Sequence, residues 1–415
     1  MTRSCATFIL CFLTVFGIRK VRAQSGSDVQ DVLTKLFTTD KYNKKIRPLV
    51  DQSNAVQIDV DFFLTSIIDF NDQDESLKTS GFLSLSWTDE YLQWDPGSYN
   101  GVNVLFLPQD DIWRPGVSLR NPYKSFTGLG SAFLNLRVDS NGLVEWFPFQ
   151  VFESTCDVDI TYFPFDSQEC ELKFIAWSYS QVEVELNKGA RGVILVEYSP
   201  NAVWNIDSTS AHETNTGESS VTFTIKLKRK PGFYVINIII PVILLSVLNI
   251  FAFALPVTTG ERASYAVTVF LSLAVFLTIV SEELPTNSDV ISILSVYLTA
   301  MITLSTVIVL ICILELRLAT RTVEEYPINK LFMAVYKVSL FLQCRKRKDK
   351  IKPAKMSETN SKKKLKKEDE FNPDRKKFQV TWMKIVSAMD YLLFWIFLLL
   401  TFILTLVLFL ICANN

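Results

Sequence analysis

The sequence predicts an extracellular, all-β antiparallel sandwich with a short N-terminal helix, followed by a four-helix transmembrane bundle. Three observations carry that expectation. Apolar and polar residues alternate with period two in several segments of the first half, the pattern of strands with one buried face. Four apolar runs in the last 185 residues each reach the length of about 20 residues that a helix needs to cross a bilayer. Charge is segregated along the chain: the 42 Lys and Arg nearly cancel the 43 Asp and Glu only as a sum.

Residues 1–23 read as a secretory signal peptide: Arg3, an apolar run from Cys5 to Phe16, and small residues around Val21-Arg22-Ala23. Residues 24–230 then form the extracellular domain. Asp28–Phe37 is expected to be an amphipathic helix, with Val29, Val32, Leu33 and Leu36 on one face. The clearest strands are 56–70 (Val56, Ile58, Val60, Phe62, Leu64), Phe82–Trp87 and Val221–Leu227. Cys5 and Cys11 fall in the leader, Cys312 and Cys412 in apolar spans and Cys344 inside. That leaves Cys156 and Cys170 in an oxidising compartment, where a disulfide is expected.

The spans are Phe233–Leu255, Ala263–Ser281, Val290–Leu314 and Tyr391–Cys412. They divide the remainder into a three-helix segment (231–314), a cytoplasmic loop (315–390) and a fourth span with a short extracellular end (391–415). Between Cys344 and Lys377 there are 15 basic and 6 acidic side chains, a net of +9, which the positive-inside rule places in the cytoplasm. Gln24–Lys230 holds 17 basic and 29 acidic side chains, a net of −12, a field that attracts cations within a Debye length of about 8–10 Å. Ile328–Leu342, with Leu331, Val335 and Leu340 at helical spacing, suits the lipid of the inner leaflet. The run Lys362–Lys367 is aperiodic and reads as topology and lipid attraction rather than nucleic-acid binding.

The second span carries the most information. Glu261, Ser264, Thr268, Leu271, Val275, Ile279 and Glu282 recur every three or four residues and share one helical face. Repeated around an axis, that order makes a pore: carboxylate rings at both mouths, hydroxyls that replace part of an ion's hydration, and an aliphatic ring that gates by dewetting. The bland reading is a helix whose hydroxyls bond back to their own carbonyls. One histidine in the chain, His212, argues against a histidine metal site or acid–base centre. No catalytic triad or phosphate loop is visible, so neither an enzyme nor a cofactor is expected.

The segment Cys156–Cys170, C-x13-C enclosing Phe163-Pro164-Phe165-Asp166, resembles the signature of the pentameric ligand-gated ion channel (Cys-loop receptor) family. Trp87-Thr88-Asp89, Trp113-Arg114-Pro115, Trp177-Ser178-Tyr179 and Gly260-Glu261-Arg262 resemble the family's nicotinic acetylcholine receptor branch, the last triplet matching its cation-selective Gly-Glu-Lys. The resemblance implies a homo- or heteropentamer at the plasma membrane, of a postsynaptic or a sensory cell, with N- and C-termini outside. It implies a small-molecule ligand held outside between subunits and permeant cations. In acetylcholine-binding relatives the ligand sits in an aromatic box. Here the implied site residues are Trp177, Trp204, Arg120, Phe82, Tyr179 and Glu145, and the match is partial. Arg120 stands where the box has a tyrosine, Phe82 where it has a tryptophan, and Asn205–Glu218 contains no aromatic residue and no vicinal cysteines. The resemblance also implies coupling elements between site and pore: Phe163, Pro164, Phe165 and Asp166, the turn Asp69–Glu75, Arg229 with Asp72 as its expected partner, and Pro285 after the second span. Three readings stay open: a subunit for a different ligand, neutral and apolar or anionic; an accessory subunit that completes a partner's site; or a diverged receptor resembling the cephalopod chemotactile receptors.

Overall fold

The computed structural model describes residues 24–257, 260–283, 291–322, 326–343 and 380–413. The signal-peptide expectation, Pro285, Cys344 and the Lys362–Lys367 run lie outside them. The chain divides into two compact units: residues 24–158 with Ser167–Arg229, and Asp159–Asp166 with Lys230 onward.

The first unit opens with helix α1, Gly26–Leu33, which ends in a wider turn over Thr34–Thr39. Ser25 caps it by accepting from the Asp28 backbone N–H while the Asp28 carboxylate accepts from the Ser25 backbone, satisfying orphan donors at the helix start. Val32 and Leu36 are the buried members of the expected face.

Eleven strands follow: β1 Val56–Asn71, β2 Ser76–Thr88, β3 Val104–Pro108, β4 Val117–Leu119, β5 Asn135–Asp139, β6 Leu143–Trp146, β7 Phe149–Thr155, β8 Ser167–Ala176, β9 Val184–Ile194, β10 Trp204–Thr216 and β11 Glu218–Arg229. They build a seven-stranded sheet in the order β3-β5-β6-β2-β1-β9, with β7 also on β2, and a four-stranded sheet in the order β10-β11-β8-β4. The pairing is antiparallel except between β1 and β9, which run parallel from Val56 opposite Val184. Parallel neighbours need a crossover connection, and the intervening strands supply it.

Between the sheets the period-two positions meet. Phe62 on β1 and Phe152 on β7 face Phe174 on β8 and Phe223 on β11, with ring centroids 5.2–6.5 Å apart. All four are fully buried, so this aromatic quartet carries much of the hydrophobic driving force. Cys156 and Cys170 form the expected disulfide. Closing a loop of this length stabilises a fold by about 3 kcal/mol in the chain-entropy model.

The second unit holds helices α2 Gly232–Ala254, α3 Glu261–Glu283, α4 Ile293–Ala319, α5 Lys330–Leu342 and α6 Trp382–Ala413. All but α5 are long and apolar enough to cross a membrane. The third span runs five residues past its expected end at Leu314, and the fourth begins nine residues before Tyr391. Hydropathy stops at the charges Glu315 and Asp390, but the helices do not, because both carboxylates find a partner inside the bundle. Arg262 on α3 pairs with Glu315 at 2.5 Å and with Asp390 at 2.7 Å, and its guanidinium lies 5.1 Å from the Phe253 ring centroid. Below this trio Ile250, Phe253, Ala266, Ile308, Cys312 and Phe397 pack into one apolar core.

Candidate functional site: an aromatic platform, a buried arginine and a polar stripe

Trp177 follows β8 and is half exposed. It is backed by Phe126, whose ring lies 4.6 Å away. The Arg120 guanidinium sits 5.5 Å from the Trp177 ring centroid, and its Nε lies 3.4 Å from a carboxylate oxygen of Glu218. Arg120 therefore does both things its position allowed: it faces the indole and it pairs with a carboxylate. Beneath the platform, Trp113 donates its Nε1–H to the Tyr179 hydroxyl at 3.1 Å and packs edge-on against Trp87. The Trp113 backbone N–H donates to the Tyr42 hydroxyl, which in turn donates to Asp89. Burial and the Asp89 charge hold the Tyr42 hydroxyl well above its ordinary pKa, and burial raises the Asp89 carboxyl. This braced network holds Trp113 and, through it, Tyr179, while the Trp177 backbone N–H donates to the Gly116 carbonyl. A cleft of about 520 Å³ opens beside the platform, lined among others by Trp146, Arg114, Phe126 and Trp177.

Phe82 lies in the other sheet. It stacks on Phe63 at 4.5 Å and meets the edge of Phe147 at 6.4 Å. The Arg191 guanidinium lies 5.2 Å from the Phe63 centroid and 3.5 Å from Asp61. Glu145 is tied up elsewhere, in a close ion pair with Arg137, which also holds Asp139 at 2.8 Å. The hydrogen bond it donates to the Glu145 carboxylate keeps the Arg137 guanidinium protonated beyond its usual range.

The structure does not bring Trp204 to this platform. Trp204 pairs with Arg229 at one end of the β10–β11 ladder, whereas Ser220 pairs with Ile175 beside Trp177. Nine strand residues separate the two levels, about 30 Å at strand rise. Trp204 is buried there between Phe70 and Arg229, with the guanidinium 4.2 Å from its ring centroid. Placing it in the ligand site is thus a misassignment, caused by reading its sequence position without the hairpin register. Counting outward from Gly217 at the turn would have paired it with Lys230, already far from the platform; a bulge between Ile206 and Ser208 moves its partner to Arg229. Sequence reasoning also missed Phe126, Glu218, Phe63 and Arg191. Of these, only Glu218, next to the turn glycine, carried a local signal.

Arg229 is almost fully buried and donates to Asp72 at 2.7 Å, the pairing expected for it. In the second unit Phe163 is buried against Tyr234 of α2, ring centroids 4.8 Å apart. The Thr161 carbonyl accepts from the Ile293 N–H at the start of α4, 2.9 Å away. Pro164 and Asp166 are buried in the same loop, and Phe165 is half-buried, its N–H bonded to the Tyr162 carbonyl.

On α3 all seven stripe residues, Glu261, Ser264, Thr268, Leu271, Val275, Ile279 and Glu282, are exposed, while Arg262, Ala266, Val269, Leu273 and Val280 of the opposite face are buried. Thr268 does donate back to the Ser264 carbonyl, but the bond uses only its proton and leaves its oxygen free to accept.

A helix-capped two-sheet sandwich, a disulfide loop against the helix starts and four membrane-length helices define a multi-pass receptor-channel class. The neurotransmitter-gated ion-channel ligand binding domain model matches residues 29–231, and the neurotransmitter-gated ion-channel transmembrane region model matches residues 238–379. The chain belongs to the neurotransmitter-gated ion channel (Cys-loop) family. It is 31% identical over 310 residues to neuronal acetylcholine receptor subunit beta-4 of Gallus gallus, covering 73% of this chain and 66% of that one. It is 32% identical to acetylcholine receptor subunit beta-like 1 of Drosophila melanogaster over 76% of this chain and 61% of that one. With neuronal acetylcholine receptor subunit alpha-6 of Mus musculus it shares 30% identity, over 83% and 70% respectively. The chain thus spans a little under two thirds of the first two relatives' length.

Proposed function

We propose that the chain is a subunit of a pentameric, extracellular-ligand-gated cation channel of nicotinic architecture. The observation that carries this reading is the division of α3 into an exposed polar-aliphatic stripe, Glu261 to Glu282, and a buried apolar face. A helix surrounded by lipid has no use for carboxylates and hydroxyls on its open side, whereas a pore wall does. The stripe's order assigns Glu261 and Glu282 to the mouths and Leu271, Val275 and Ile279 to the dry gate. Arg229 with Asp72, and the Phe163–Asp166 loop with Pro285, serve as the coupling elements.

The ligand in this reading is not cholinergic. Only Trp177 remains of the aromatic box, with Phe82 on the other face; Asn205–Glu218 carries no aromatic, and the hairpin's two aromatics, Trp204 and Phe223, are buried. A half-exposed indole–phenyl platform, beside a cleft that mixes Val117, Leu129 and Trp146 with Lys44, Asp110 and Arg114, supports a poorly soluble, uncharged ligand. That supports a chemosensory receptor of the kind the cephalopod chemotactile receptors represent. The same depleted site also fits an accessory subunit of a heteromer.

Two variants test the channel itself without a known agonist. Leu271→Ser hydrates the aliphatic ring, so cells expressing it should carry a resting current that wild type lacks; silence with normal surface delivery would refute the pore assignment. Glu261→Ala in that background should shift the reversal potential toward chloride, and an unchanged cation preference would remove Glu261 from the selectivity ring. Expression alone against co-expression separates the receptor from the accessory subunit.

A further inference from the structure

Both aromatic platforms of the sandwich are capped by an arginine of the same chain. Arg120 lies over Trp177 and pairs with Glu218; Arg191 lies over Phe63, the stacking partner of Phe82, and pairs with Asp61. In each case a planar guanidinium occupies the face of a ring at cation–π distance, and a carboxylate holds it there. We propose that Arg120 and Arg191 are the residues that determine ligand specificity: they fill the cation seats of the site with the chain's own charge, so the site rejects organic cations and accepts only ligands without positive charge. The proposal deepens the non-cholinergic reading above and rests on it.

The physical argument has two parts. A ring face offers one favourable location for a cation, and a guanidinium already there removes the quadrupole attraction that a quaternary ammonium would gain. A second cation brought beside it also meets like-charge repulsion, which grows as the ligand excludes water from the cleft. Neither effect penalises an uncharged ligand, which can stack on the edge of Trp177 and on Phe126. The carboxylates matter as well. Glu218 and Asp61 hold the guanidinium groups on the rings and offset their charge in part, which weakens the attraction for anions while the ring faces stay occupied against a cation. Arg120 and Glu218 are 46% and 44% exposed and Arg191 is 60% exposed, so both guanidinium caps are open to water and contribute little to holding the fold together; Asp61 is buried and is fixed by the Arg191 and Gly192 backbone N–H groups.

The test uses the full-length chain in detergent and tetramethylammonium chloride as probe, against matched sodium chloride, with saturation-transfer NMR of the probe's methyl protons as readout. Wild type should show no saturable transfer. Arg120→Gln uncovers Trp177 and should bind the probe at least about tenfold more tightly, and adding Trp177→Leu should abolish that gain. Arg120→Lys keeps the charge and should behave like wild type. Arg120 and Trp177 belong to one chain, so this comparison does not depend on assembly. In the assembled receptor Arg120→Gln with Arg191→Gln should bind more tightly than either alone. Equal thermal midpoints for wild type and variants exclude a folding artefact. An Arg120→Gln, Arg191→Gln variant that gains nothing, or an Arg120→Lys variant that gains as much as Arg120→Gln, overturns the proposal. Saturable binding by wild type itself instead overturns the non-cholinergic reading on which the proposal stands.

Discussion

Arg229 and Arg120 meet the same two groups, an indole face and a carboxylate, at opposite ends of the sandwich and at opposite depths. Arg229 lies 4.2 Å from the Trp204 centroid and 2.7 Å from Asp72, its side chain 2% exposed. Arg120 lies 5.5 Å from the Trp177 centroid and 3.4 Å from Glu218, its side chain 46% exposed. Burial decides what identical chemistry is worth. Around Arg229 water cannot replace a lost partner, so the trio is a fixed joint. Around Arg120 water competes for every contact, so the trio can open for a ligand at little cost. In the function proposed above, the receptor uses one of each: an exchangeable contact at the proposed ligand site, and a permanent one at the end of β11, directly before the first membrane helix.

The comparison breaks most sharply at Arg229. Arg229→Met removes the buried guanidinium that pairs with Asp72, and removing one partner of a buried pair costs about 3–5 kcal/mol. The expected outcome is a strongly lowered thermal midpoint in detergent and poor surface delivery. A loss below about 1 kcal/mol would place this pair in the same class as the exposed one. Trp204→Leu should cost less, about 2 kcal/mol from lost packing and the cation–π contact. Its diagnostic value lies in ligand binding: a variant that folds should retain it, because Trp204 is far from Trp177 along the hairpin. A change in ligand affinity larger than the change in stability would return Trp204 to the site.

The two trios also show what the sequence could and could not reveal. The spans, the disulfide and the stripe on α3 follow from one-dimensional regularities: apolar length, cysteine compartment and helical period. Arg229 with Asp72 was legible through resemblance. Trp204 was not, because its neighbours are fixed by a hairpin register and by a bulge between Ile206 and Ser208, neither of which leaves a local mark. The orientation of Arg120 was equally hidden, since the deciding carboxylate, Glu218, comes from a strand 98 positions later. Arg262 shows the same limit in the membrane. Its partners Glu315 and Asp390 each sit one residue outside a span drawn by hydropathy, a rule that scores charges as breaks and cannot register that three of them meet.

The smallest expected effect is the most discriminating. Glu218→Gln removes the counter-charge of an exposed pair, worth about 0–1 kcal/mol, so the thermal midpoint should fall by no more than about 2–4 °C for a domain near 200 residues. Salt then separates the two trios. At about 1 M ionic strength the Debye length falls to about 3 Å, which screens Arg120 and Glu218 but barely reaches Arg229 and Asp72 behind Trp204. Wild type and Glu218→Gln should therefore become indistinguishable in high salt, while the deficit of Arg229→Met persists. If the Glu218→Gln deficit also survived salt, the Arg120 pair would be shielded from water. A ligand would then have to break a buried contact to reach Trp177, and the exchangeable half of the comparison would fall.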